Sequence, residues 1–453
     1  MKNHPANSLR FIPAALGLAL CLLAYNAKAA TSYYFHQNGT ASGYGITASS
    51  TYSWDGTSWS ATSGGAPTLG WQAGGFARFN SSTTPYTVNV GADESMAGMY
   101  VTTAAAVTIN QTPSTSGDLN IVAGVQGFLL SGPLVINAPI VGAGGINPQW
   151  EASGATISLF GNNSYSGGTL LTSSSAFVYY NNPNSFGSGA ITVSEGAGYF
   201  APLFSSGGLV TIGNTIVNSS GGINFANGNV KLTGNVSLGA NNLLVRNNGG
   251  NTAPVTLSGS IGGTAGVTFS GANGGTIIAS GANTYSGATT VGSTGDTSIR
   301  LTLAAANTIA SSSQLIMFGG TVDPAGQHHT MTGTTLALTG NSVFDFTSGT
   351  AEMDFANSGS VAWTPGMTLN LVSTGGGNWN LSSDYLEVGT DATGLTAAQL
   401  AEITFNGTDL GDAGINAQGY VYDTLQPIPE PSTLVLGLLG GLSAMWTIRR
   451  RTA

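Results

Sequence analysis

Apolar and polar residues alternate in short runs along most of this chain. Val107-Thr-Ile-Asn110, Leu134-Val-Ile-Asn137, Ala155-Thr-Ile-Ser-Leu-Phe160, Ile191-Thr-Val-Ser194, Val230-Lys-Leu-Thr233, Val255-Thr-Leu-Ser258 and Val267-Thr-Phe-Ser270 are examples. A period of two puts successive side chains on opposite faces of an extended backbone, so each run predicts a strand. Gly, Asn, Ser or Pro follows nearly every run, and these residues accept the backbone angles of tight corners. Helical periodicity is almost absent. The exception is Leu395-Thr-Ala-Ala-Gln-Leu-Ala-Glu402, where Thr396 as N-cap and Gln399 three residues on predict a capping box, and Leu395 and Leu400 a hydrophobic staple. Many short strands with frequent turns fit a sandwich, a barrel or a parallel β-helix.

Internal repetition separates these. Gly161-Asn-Asn-Ser-Tyr-Ser-Gly-Gly-Thr169 and Gly281-Ala-Asn-Thr-Tyr-Ser-Gly-Ala-Thr289 agree at six of nine positions, 120 residues apart. About twenty residues before each lies an apolar-Gly corner, Ile140 to Gly145 and Leu257 to Gly263. A unit repeated at fixed spacing predicts stacked coils, with Gly161, Gly167, Gly281 and Gly287 at corners, Asn163 and Asn283 laddering between coils, and Tyr165 and Tyr285 covering the core. The motif resembles the autotransporter-associated β-strand repeat, and the resemblance implies a right-handed parallel β-helix. At ~22 residues and ~4.8 Å per coil, roughly 300 residues predict 13 to 14 coils in a rod of ~65 Å. Open ends of such a rod need caps. Residues 31–100, with Trp54, Trp59 and Trp71, suit the N-terminal cap; residues 101–330 carry the coils; residues 331–425 form an acidic C-terminal cap.

Charge narrows the partners. The chain has 10 Lys and Arg against 19 Asp and Glu, and between residues 31 and 428 the basic residues are Arg78, Lys231, Arg246 and Arg300 alone. Nucleic acid and anionic membrane surfaces need clustered Lys and Arg, so neither is expected as a charge-driven partner.

Both ends read as targeting signals. Lys2 and Arg10 precede an apolar stretch from Phe11 to Tyr25, then Ala27-Lys28-Ala29, which predicts a signal peptide over 1–30 cut after Ala29 or Ala30 by signal peptidase. The single Cys, Cys21, lies in that leader, so the mature chain must be stable without disulfides. At the other end, residues 426–453 contain Pro429-Glu430-Pro431, an apolar run from Thr433 to Ile448, and Arg449-Arg450-Arg451. The Pro residues interrupt regular structure and the Arg cluster holds the tail on the cytoplasmic side. Sixteen residues at ~1.5 Å each span ~24 Å against a ~30 Å hydrocarbon core, which predicts a marginal transmembrane helix. This tripartite tail resembles the PEP-CTERM sorting signal. The resemblance implies cutting near Pro429 by an exosortase-like enzyme, a transient stay in the inner membrane, and a final place at the cell surface or outside the cell. A single apolar helix cannot form an autotransporter's C-terminal barrel.

The candidates for chemistry are few. Asp345, Glu352 and Asp354 form a close carboxylate group that alternation could place on one face, a candidate weak cation site for calcium; Asp384, Glu387 and Asp391 are spaced more loosely. Adjacent His328 and His329 would point to opposite faces of a strand and not share one ion, and nearby Asp323 and Pro324 predict a loop there. No nucleophile elbow or phosphate loop is present. The sequence therefore predicts no catalytic residue, resident metal or cofactor. It predicts a secreted or surface-displayed structural or adhesion-type β-solenoid in the extracellular polysaccharide matrix. The alternatives are a β-helix carbohydrate-active enzyme acting through the carboxylates, or a carbohydrate-binding protein stacking sugars on the three Trp rings.

Overall fold

The structure is a computed structural model. It describes residues 30–425 apart from 39–42, 48, 81–83, 153, 173–176, 196–199, 207, 250–252, 312, 374–383 and 408–410. The sorting-signal positions, and the signal-peptide positions other than Ala30, lie outside the described residues. The alternating segments wind into a parallel β-solenoid of about 12 turns. The difference from 13 to 14 lies in coil length. Phe177 faces Thr156, and Thr169 faces Ile191, at spacings of 21 and 22 residues, but Val107 faces Leu134. Longer corners make fewer coils from the same chain.

Three long sheets form the faces of the solenoid. One has 13 strands and reaches Ile261–Gly263, a second has 13 and ends at Leu336–Gly340, and a third has nine, from Val210–Ile212 to Ile403–Phe405. A three-stranded sheet, His328–Met331, Glu352–Phe355 and Tyr385–Val388, joins the last coils. Between sequential coils the pairing is parallel and in register, apart from shifts at Gly75/Ala77, Val193/Ser194 and Met317/Phe318. One column runs Thr169, Ile191, Ile216, Val236, Ile261. Such columns suit β-branched side chains, which are stiff and pack well on a pleated surface. Burying a Val, Leu or Ile contributes ~1.5–3 kcal/mol, and each coil repeats that several times. The core is continuous from Phe35 to Val421.

The repeated nonapeptide makes the same contacts in both copies. A Cβ on Gly161 would stand 2.3 Å from the Ala138 carbonyl oxygen, and one on Gly281 would stand 2.1 Å from that of Gly259. These corners admit glycine because the coil below touches their backbone. Asn163 accepts from the Ile140 amide at 2.8 Å and donates to the Ser185 carbonyl at 2.8 Å. Asn283 does the same with Ile261 at 2.7 Å and Thr308 at 2.6 Å. Each Asn thus joins the coil before it to the coil after it. Tyr165 and Tyr285 lie inside the core, their hydroxyls 2.7 and 2.6 Å from Thr169 Oγ1 and Thr289 Oγ1.

The two ends differ. At the N-terminal end Trp59–Ser60 pairs antiparallel with Ser32–Phe35. Trp54, Trp59, Trp71, Phe35 and Phe79 form one cluster with ring centroids 4.6–5.8 Å apart. Parallel stacking already begins within residues 31–100, since Gly75–Phe79 pairs with Glu94–Val101 and Tyr86–Val90 with Val107–Gln111. At the C-terminal end the helix Ala397–Leu400 carries the expected capping box. Gln399 also donates to the carbonyls of Ser358 and Val361, tying the helix to the last coils. An antiparallel hairpin, Ala413–Ile415 with Val421–Asp423, follows.

Candidate functional site

The strand His328–Met331 corrects the expected loop at the two histidines. Strand alternation sends His329 and Met331 inward, fully buried, and leaves His328 outside. His329 accepts from the Asn307 amide at 3.2 Å and faces the Pro324 carbonyl at 3.2 Å, and burial lowers its pKa. A neutral imidazole with Nε2 protonated satisfies both contacts, so His329 is a packing residue.

Outside, the coil register does what linear spacing did not reveal. His328 faces Glu352, which faces Tyr385, and Thr330 faces Asp354, which faces Glu387. The inward neighbours Met353 and Phe355 are buried and hold the middle strand in place. His328 Nε2 lies 2.9 Å from Asp354 Oδ2 and 3.1 Å from Glu352 Oε2. Tyr420, joined to Glu387 by an antiparallel bridge, places its hydroxyl 3.5 Å from Glu352 Oε1 and its ring 5.5 Å from that of Tyr385.

Electrostatics in this cluster favour a shared positive charge. The hydrogen bond to Asp354, reinforced by the charges of Asp354, Glu352 and Glu387, raises the His328 pKa against its partial burial. Burial raises Asp354, and the His328 contact offsets this only in part; burial and the Asp354 charge raise Glu352. Both carboxyls move up beside the imidazole because burial disfavours their charged forms, with the Asp354 charge adding to it at Glu352 and the Glu387 charge at Asp354. Burial, then Glu387 and Glu352, push Tyr420 up to about 12. Asp354 is 8% exposed, and its Oδ1 has no hydrogen-bond partner.

The structure separates the carboxylates that proximity in sequence had grouped. Asp345 ends a strand of the third sheet, where its Oδ2 lies 2.6 Å from Arg300 Nη1, while Arg300 Nη2 lies 2.7 Å from Asp323 Oδ2. Residues 346–351 turn the corner to the next sheet, so Glu352 and Asp354 face elsewhere. Asp384 is buried, accepting from the Ala351 amide and the Ser373 hydroxyl, and Asp391 closes a turn with Thr393. Of the looser trio only Glu387 reaches the cluster. Sequence reasoning missed His328 as its partner, because the coil between His328 and Glu352 is 24 residues long and not the ~22 of the matched repeats.

The Trp rings weighed as a sugar platform sit elsewhere than on the surface. Trp54 and Trp59 are fully buried, and Trp71 is half-buried against them with its indole N–H on the Ser95 carbonyl at 2.9 Å. Aromatics do reach solvent on the second sheet. Tyr179 and Phe204 stack at 4.8 Å, and Phe177, 40% exposed, lies 5.7 Å from Phe204. Among the described residues no helix is long and apolar enough to cross a membrane. No protein-family model, curated protein or solved structure matches this chain.

Proposed function

We propose that this chain is an exported, non-enzymatic β-solenoid that acts as a structural or adhesion element in an extracellular polysaccharide matrix. Its leader is removed after Ala29 or Ala30, its tail holds it in the inner membrane, and an exosortase-like enzyme cuts near Pro429-Glu430-Pro431. The observation that carries this reading is the unbroken coil stack, in which corner glycines, bridging asparagines and buried tyrosines all serve the stack itself. A stiff rod with a hydroxyl- and amide-rich exterior suits a load-bearing or spacing role. The outward row Phe177, Tyr179 and Phe204 supplies flat apolar faces against which sugar rings can stack.

A carbohydrate-active enzyme is the second reading, favoured by the raised carboxyls of Glu352 and Asp354. A glycosidase keeps its two carboxyls ~5–9.5 Å apart with the scissile bond between them. Here the His328 imidazole occupies the space between the two carboxylates. The deciding experiment compares wild type with a variant carrying alanines at 429–431, by intact mass and cell fractionation. A product shortened near Pro429, found at the surface or in the medium and absent in the variant, supports the proposal. An uncut inner-membrane product in both rejects it. Polysaccharide cleavage lost in Glu352→Gln would move the assignment to the enzyme.

A further inference from the structure

We propose that His328, Glu352 and Asp354 bind one late first-row divalent cation, represented by Zn2+, a property beyond the structural role proposed above. Among the described residues their three donor atoms all lie within 4.8 Å of one another. Tetrahedral coordination at ~2.1 Å sets donors ~3.4 Å apart, so the two His328 separations of 2.9 and 3.1 Å open by a few tenths of an ångström while the Glu352 and Asp354 donors, within 4.8 Å of each other, adjust to the same spacing. A pair of parallel strands preorganises the site. Glu352 and Asp354 stand two residues apart on one strand, and His328 stands in register beside Glu352 on the strand of the preceding coil.

An unpartnered buried oxygen provides an independent observation. Asp354 Oδ1 is buried without a partner, which is costly for an anionic oxygen unless a cation compensates it. Glu352 and Asp354 share one strand, and Glu387 stands beside Asp354 on the next, so three carboxyl groups converge here. The nearest guanidinium in sequence, that of Arg300, is already held by Asp323 and Asp345. A divalent ion seated between the His328 nitrogen and the two carboxylates compensates that Asp354 oxygen. The donor set selects the kind of ion. Ca2+ takes six to eight oxygens, whereas imidazole nitrogen with two carboxylates suits low-coordinate Zn2+ and its neighbours. The fourth position opens towards solvent, since the His328 side chain is 56% exposed. This replaces the all-carboxylate calcium trio with a different ligand set, a different metal and no Asp345.

The test is calorimetric titration of the untagged full chain with Zn2+ alone, with Ca2+ as a second arm and Co2+ absorption as a geometric readout. Expected are one Zn2+ per chain, an intense visible Co2+ band, and much weaker Ca2+ binding. His328→Ala and Asp354→Asn should each weaken Zn2+ by more than about 100-fold, beyond the loss of an outer-shell partner. Unchanged far-UV circular dichroism checks the fold of each variant, and Glu352→Gln serves if either misfolds. Absence of saturable Zn2+ binding, or binding unaffected by His328→Ala, overturns the proposal. Ca2+ binding as tight as Zn2+ also overturns it.

Discussion

A single hydroxyl pair shows how closely the two repeat copies can be compared. Tyr165 and Tyr285 each meet a buried threonine, but Thr289 Oγ1 also meets Ser313 Oγ at 3.0 Å. Tyr165→Phe leaves Thr169 without that partner and should cost about 1–2 kcal/mol; Tyr285→Phe leaves Thr289 its Ser313 contact but strips the Ala310 amide of its bond to the phenol, and should cost at least as much. Denaturant midpoints of the two variants, compared side by side, check the order. Glu94 makes a second residue-scale case. Burial, then the hydrogen bond and charge of Asp55 and the charge of Asp93, raise its pKa to about 7. The folded chain therefore keeps a proton that the unfolded chain, at the ordinary value of 4.5, releases. This contribution is fully present below about pH 4.5 and is lost as pH rises through about 7. Glu94→Gln should remove that slope and raise the melting temperature at pH 8, by the equivalent of about 1 kcal/mol or less because solvent screens a half-exposed group. Equal melting shifts at pH 4 and pH 8 would contradict it.

Among elements, strands one coil apart are tied by side chains as well as by backbone ladders. Arg300 on Arg300–Leu303 reaches Asp323 on Thr321–Asp323 and Asp345 on Ser342–Asp345, linking three strands of the third sheet. Burial alone would raise the Asp345 carboxyl, and the Thr347 and Arg300 contacts together pull it below its ordinary value. A lowered carboxylate stabilises above the unfolded pKa, and that stability goes as pH falls through the folded one. Arg300→Met leaves Asp323, 4% exposed, and Asp345 without their guanidinium and should cost about 2–4 kcal/mol at pH 7, and less near pH 3, where the Asp345 contribution fades. Chemical denaturation at the two pH values reads this difference. The elements themselves were legible in the sequence. Alternation located the strands, and Thr396 with Gln399 located the helix, because both signals are local. The strand at His328 was misread as a loop because Asp323 and Pro324, which do turn the chain, stand only a few residues earlier.

For the whole molecule, a coil touches mainly its neighbours, so stability is nearly a sum of coil and interface terms. Asn163→Ala removes two bridges, to Ile140 and Ser185, and leaves both backbone groups wanting partners. It should cost about 2–4 kcal/mol. Hydrogen exchange should accelerate around residues 134–140 and 185–193 and remain unchanged near 352–388. Uniform acceleration along the chain would instead indicate one cooperative unit. The terminal clusters matter at this scale too. Fully buried Trp54 and Trp59 close one end, and the helix and hairpin close the other, covering backbone groups that would otherwise pair with another rod.

What the sequence determined by itself was everything whose cause lies within one strand, one corner or one repeat. Alternation set which side chains face in, and glycine marked where the backbone of the next coil approaches within contact, as at Gly161 and Gly281. The spacing of two matched nonapeptides announced stacking. Tertiary structure decided which residue stands over which. Corner lengths differ from coil to coil, so the partner one turn away cannot be read from a fixed increment. That register put His328 beside Glu352 and Asp354, sent Asp345 to Arg300, and folded Trp54 and Trp59 inside. Each of these groupings joins side chains from different coils or different sheets, and only the closed path of the backbone brings them within reach.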